Sequence, residues 1–178
     1  LGEALKTNTH LVEIRLSKCA LDANDAKNIA AGLAVNDSVQ VIHLDNNKIS
    51  NDGALAIAEA LKTNIRIEEL NLLGQPHQFG DACLKGFIAM FDYNVTLCKI
   101  IWRLDSRQSF AINKLLVRNN TIRKWLAEGK DVSSLIPKNC NIPELRCLAV
   151  VAVKENSSAA LPRASSAAAA AAAPPPAK

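Results

Sequence analysis

The sequence predicts an α/β fold built from stacked copies of one strand–helix unit, and three observations predict it. The phrase EALKTN stands at residues 3–8 and again, letter for letter, at residues 59–64. A looser version, AGLAVN at 31–36, lies midway, so the period is 28 residues. Rows of that length align Leu11, Ile14, Leu16, Cys19 and Leu21 with Val39, Ile42, Leu44, Asn47 and Ile49.

Both rows read LxxLxLxx(N/C)xL, the leucine-rich repeat signature, whose period runs from about 20 to 29 residues. One such unit cannot bury its apolar face alone. The expected architecture is therefore a right-handed solenoid, with a parallel β-sheet on its concave face and helices on its convex face. A third row gives Ile67, Leu70, Leu72 and Gln75, a fourth Leu97, Ile100, Trp102 and Asp105. The N/C position reads as degraded in both, as terminal, capping repeats require. The division expected is four to five repeats over residues 1–125, the first truncated, then a C-terminal capping segment over 126–155 and a tail over 156–178.

Each element follows from its residues. The chain opens on LGEALKTN, the second half of a repeat's helix, so that helix's strand is expected upstream. In the recurring phrase Leu5 or Leu61 turns inward, the following Lys sits outward at the negative end of the helix dipole, and the Asn is expected as a left-handed cap. Val41, Ile42, His43 and Leu44 alternate outward and inward as a strand does. Ala26, Ile29, Ala30 and Leu33, and then Ala54, Ile57, Ala58 and Leu61, recur at i, i+3, i+4 and i+7, the stripe of an amphipathic helix. Small Ala on these inner faces allows close helix approach. The loop Gln75–Gly80 lengthens the third row and is expected to bulge at the strand end. A shortened fifth row spans Asn119 to Trp125. Beyond it, Pro143 suits a first helical turn, with Ile142, Leu145 and Leu148 or Ala149 as an apolar face, although the Val-rich run also suits a strand. From Asn156 onward Ser, Ala and Pro dominate, the composition of a disordered tail.

Composition narrows the chemistry. Hydrophobic residues make up 49% of the chain but aromatics only 4%, so aliphatic side chains must build the core. The five cysteines form no CxxC pair and have no histidine at zinc-ligand spacing, which points to reduced thiols in the cytoplasm, with Cys19 buried in its N/C slot. No apolar run approaches the ~20 residues a membrane-spanning helix needs. The sequons at Asn36, Asn94, Asn119 and Asn156 would matter only in a secreted chain. There is no phosphate-binding GxxxxGK[ST] loop and no GxGxxG, and His10, His43 and His77 occupy different row positions without a Ser or Cys partner. No enzyme, cofactor, metal or small-molecule substrate is expected.

A binding face is. The outward strand residues, Glu13 and Arg15, then Val41, His43 and Asp45, then Glu69, Asn71 and Leu73, then Lys99, Ile101 and Arg103, mix charge, amide and apolar groups as a protein-recognition surface does. Residues 1–98 carry 8 Lys/Arg against 12 Asp/Glu, and residues 99–178 carry 13 against 5. Arg107, Lys114, Arg118, Arg123 and Lys124 make the last repeats a basic patch, attractive to an acidic protein and, less so, to nucleic acid.

EALKTN before a strand, NLLGQPHQFGD, and RQSFAINKLLVRNNTIRKW resemble the C-terminal repeat domain of tropomodulins and leiomodins, within the ribonuclease-inhibitor-like subclass of leucine-rich repeats. The resemblance implies a cytoskeletal protein-binding module whose partner is actin, at filament pointed ends. Membership of the wider subclass leaves a small-GTPase activator or an RNA-associated repeat protein as alternatives.

Overall fold

The computed structural model describes residues 1–103 and 106–145. Its elements alternate as the rows do: α1 (Gly2–Thr7), β1 (Glu13–Arg15), α2 (Ala23–Leu33), β2 (Val41–His43), α3 (Asn51–Leu61), β3 (Glu69–Asn71), α4 (Asp81–Met90), β4 (Lys99–Ile101), α5 (Gln108–Ala127) and a 3-10 turn (Ser133–Leu135). The four strands form one parallel sheet in chain order. Ile14 pairs with Ile42, Ile42 with Leu70, and Leu70 with Ile100, so the register follows the repeat alignment row by row.

The core lies between one face of this sheet and the helices. Ile14, Ile42 and Leu70 join Ala26, Ile29, Leu33, Ile57 and Leu61 in a single apolar cluster. Each fully buried Ile or Leu contributes about 1.5–3 kcal/mol. Glycine as well as alanine holds the helices close: a Cβ on Gly32 would stand 2.4 Å from the Gly2 carbonyl oxygen of α1, and one on Gly53 2.9 Å from the Ala26 Cβ. Asp22 starts α2 with a capping box, accepting from the Asn24 and Asp25 amides while Asp25 accepts from its own.

Several expectations need correction. The recurring Asn is not left-handed. Asn8 has φ −80° and ψ 125°, and the positive-φ residues among those described are Lys18, Asn46 and Gly74, one per row just past the strand, together with Ala20 and Gly129. The recurring Asn instead turns inward. Asn64, 2% exposed, donates to the carbonyls of Leu33 (2.7 Å) and Asn36 (2.9 Å) and accepts from the amides of Arg66 and Ile67, both at 2.8 Å. Asn36 and Asn94 repeat the pattern one row before and after.

Gln75 is not a degraded position. Its amide donates to the Leu44 carbonyl and accepts from the Ile49 amide, both at 2.9 Å. Asn47 makes the equivalent bonds to Leu16 and Leu21 one row earlier. Asp105, the fourth-row counterpart, lies outside the described residues. Cys19 is exposed rather than buried, as are Leu11 and neighbouring Val12. The Gln75–Gly80 loop does more than bulge: Phe79 is buried and its ring lies 6.0 Å from that of Trp102, which meets Phe87 edge-on at 4.8 Å.

Asn119 to Trp125 form no new row but continue α5. Asn119 still donates to the Leu97 carbonyl at 2.8 Å, keeping the row's buried amide from within a helix. Val132, Ile136 and Cys140 then close over Val95 and Ile122 as a second apolar cluster. Residues 143–145 are helical, while the remainder of the expected terminal helix and the tail lie outside the described residues. No helix among the described residues is long and apolar enough to cross a membrane.

Candidate functional site

The open face of the sheet carries two columns of side chains set by the parallel register. Glu13, Val41, Glu69 and Lys99 form one, and Arg15, His43, Asn71 and Ile101 the other. Alternation along each strand turns them away from the core, since Ile14, Ile42 and Leu70 between them point inward.

These groups bind one another across rows. Glu13 Oε1 accepts from Arg15 Nε at 2.7 Å and lies 3.1 Å from His43 Nε2. His43 Nδ1 is 3.5 Å from the Asn71 amide nitrogen. Asn71 Nδ2 donates to Asp45 Oδ1 at 3.2 Å, and Ser17 Oγ donates to the same oxygen at 2.7 Å. Lys99 pairs with Glu69 at 3.0 Å. The Arg15 guanidinium holds the Glu13 carboxyl below its ordinary range, and the Ser17 hydroxyl does the same for Asp45. Leu73 and Arg103 are exposed at the ends of their rows, beside the Gln75–Gly80 loop, and Ile101 is half-buried.

The face is thus a polar platform already held in shape, with acids on the first three rows and cations gathering at the fourth. It assembles no nucleophile with a base. No group of three or more His, Cys, Asp or Glu among the described residues converges to hold a metal ion.

The basic patch is thinner than the sequence suggests. Arg118 is half-buried, and its Nη2 donates to the carbonyls of Phe91 (2.8 Å) and Asn94 (3.1 Å), closing the end of α4; burial lowers its pKa. Arg123 pairs with Glu68, whose charge raises its pKa. Lys124 lies 4.0 Å from Glu128. Arg107 and Lys114 are exposed. What sequence reasoning missed is Phe110 and Val117, large apolar side chains exposed on the same helix. Their spacing, i and i+7, was the available signal.

The segments leading into β3 and β4, the last turns of α5, and Ile142 and Leu145 enclose a groove of about 240 Å³, lined by Val95, Cys98 and Ile122 together with Glu68 and Arg123. Burial raises the Cys98 thiol pKa against the opposing Arg123 hydrogen bond, so the thiol is not activated.

Comparison with known proteins gives a consistent result. A family model described as the TMOD/LMOD leucine-rich domain matches residues 1–122. Leiomodin-2 of Gallus gallus is 29% identical over 119 residues, covering 66% of this chain and 22% of its own length. Tropomodulin-4 of Bos taurus is 26% identical over 125 residues, covering 70% of this chain and 36% of its own. The chain therefore spans between a fifth and two fifths of these relatives. A solved structure described as leiomodin-1 actin-binding site 2 superposes with a TM-score of 0.66 at 30% identity, over 72% of this chain and 76% of that one. The tropomodulin C-terminal domain of Caenorhabditis elegans superposes at 0.68 and 17% identity, over 73% and 79%, a likeness of fold.

Proposed function

This chain belongs to the tropomodulin/leiomodin leucine-rich domain family, and on that premise we propose that it is a non-enzymatic module binding actin, at filament pointed ends. The observation that carries the reading is the superposition of the repeat array on leiomodin-1 actin-binding site 2. The rows up to α5 supply the repeats, and residues 126–145 close their end. The contacts are made by Glu13, Arg15, Val41, His43, Asp45, Glu69, Asn71, Leu73, Lys99, Ile101 and Arg103, and by the exposed cations of the last helix. A face with its own ion pairs in place suits this role, because polar groups fixed before binding lose little side-chain freedom on contact. The protein then acts in the cytoplasm, on the cytoskeleton.

The test is elongation of gelsolin-capped filaments, which grow only from pointed ends, with the chain titrated into the micromolar range. Slowed growth is expected. Growth unchanged at every concentration, together with no binding to monomeric actin, would reject the reading.

A further inference from the structure

The outer side of α5 is chemically unlike that of the earlier helices. Phe110 and Val117 are 78% and 64% exposed. They stand two helical turns apart, about 10 Å along the axis. Lys114 lies between them on the same side, and Thr121 and Lys124 continue the line, since residues three and four apart share a helix face. The opposite side holds the buried Ile112, Asn119 and Ile122, so packing fully accounts for that half of the helix and not for this one.

The charge is one-sided too. The twenty residues of α5 contain Lys114, Arg118, Arg123 and Lys124 and no Asp or Glu. Arg118 and Arg123 are turned aside, to the carbonyls of Phe91 and Asn94 and to Glu68. Lys114 makes no ion pair among the described residues, and Lys124 meets only Glu128, at 4.0 Å. Two apolar anchors thus stand on a rigid helix bordered by lysines. Single exposed apolar residues are ordinary, but here two large ones share one helix face with lysines around them. Aromatic anchors set in the middle of a patch, with polar groups at its rim, are the usual arrangement at interfaces.

We propose that the ridge Phe110–Lys114–Val117 is a second contact surface of the domain, separate from the sheet face, which docks onto an acidic actin surface with an apolar socket. This rests on the actin reading above. Phe110 enters the socket, Val117 packs at its lip, and Lys114 and Lys124 meet carboxylates at the rim. The apolar pair sets the dissociation rate, and the lysines set the salt dependence.

The experiment measures the affinity of the 178-residue chain for fluorescently labelled monomeric actin, with a thermal melt of each variant. The double variant Phe110→Ser/Val117→Ser is expected to bind at least tenfold more weakly while melting within about 2 °C of the unmodified chain, as surface changes do. Lys114→Glu should weaken binding and flatten its salt dependence, and Lys27→Glu on α2 should change neither. Tight binding by the double variant, with the unmodified chain also tight, would overturn the ridge and leave the actin reading standing. Weakening by Lys114→Glu alone would also overturn it, since charge without anchoring is then sufficient. No actin binding by any form overturns both. Loss of binding to a single-stranded RNA probe in the variants, with actin binding intact, would assign the ridge to nucleic acid and overturn the proposal as stated.

Discussion

Replacing Asn64 by alanine tests whether the buried amides hold the rows together. The side chain serves four backbone groups: the carbonyls of Leu33 and Asn36 and the amides of Arg66 and Ile67. Three of the four bonds are buried, and the one to Arg66 is partly so. A buried polar group deprived of its partner costs about 1–3 kcal/mol. With water reaching the Arg66 amide, the expected loss is about 3–5 kcal/mol, against a total of about 5–15 kcal/mol for a domain of this kind. The neighbouring Thr63 supplies the control, because its hydroxyl bonds to Ala34 and Ala60 carbonyls where solvent can replace it. Thr63→Ala should cost under about 1 kcal/mol. Urea unfolding followed by far-UV circular dichroism, at constant m, measures both. If Asn64→Ala loses no more than Thr63→Ala, the amides are incidental to stability and the argument fails.

Leu44→Asp should abolish cooperative unfolding, since the site is 0% exposed and offers the carboxylate no cation; His43→Ala, on the open face, should shift the urea midpoint only slightly, and equal losses would refute the inward and outward assignment. Maleimide labelling of the native chain should modify Cys19 at once, whereas Cys83, buried with its pKa pushed up to about 11, should react only after unfolding. Because the folded pKa of Asp45 is depressed by the Ser17 hydroxyl, its contribution is present above the ordinary carboxylate range and is lost as pH falls through the folded value. Asp45→Asn should therefore reduce the stability lost on acidification, read from urea midpoints at neutral pH and near pH 3, and identical losses in both proteins would count against the Ser17 bond.

The repeat, the strand register and the inward ladder were legible because a period of two or of 3.6 within a row, and of 28 between rows, leaves its mark on apolar residues alone. The open-face columns followed from the same alternation. Three features were not legible, each for a physical reason. Asn64 reads as a cap because Asn is common at left-handed helix ends, but the competing use, an amide bonding two carbonyls and two amides, depends on the preceding row being in place. Gln75 reads as a lost position because Gln is one methylene longer than Asn, yet the loop around it lets its amide reach Leu44 and Ile49, the counterparts one row on of the Leu16 and Leu21 that Asn47 holds. Arg118 and Lys114 read alike as basic residues of α5. Only the fold shows that one faces the end of α4 and the other faces solvent.

The buried amides also join into a relay. Asn36 donates to the Asn8 carbonyl, Asn64 to that of Asn36, Asn94 to that of Asn64, and Asn119 to that of Asn94, at 2.9, 2.9, 3.0 and 3.3 Å. Each rung is both anchored and anchoring, so tension applied along the array is shared between neighbours instead of peeling one unit at a time. The longest of these four bonds is the one at Asn119, where a shorter bond to the Leu97 carbonyl, 2.8 Å, stands beside it.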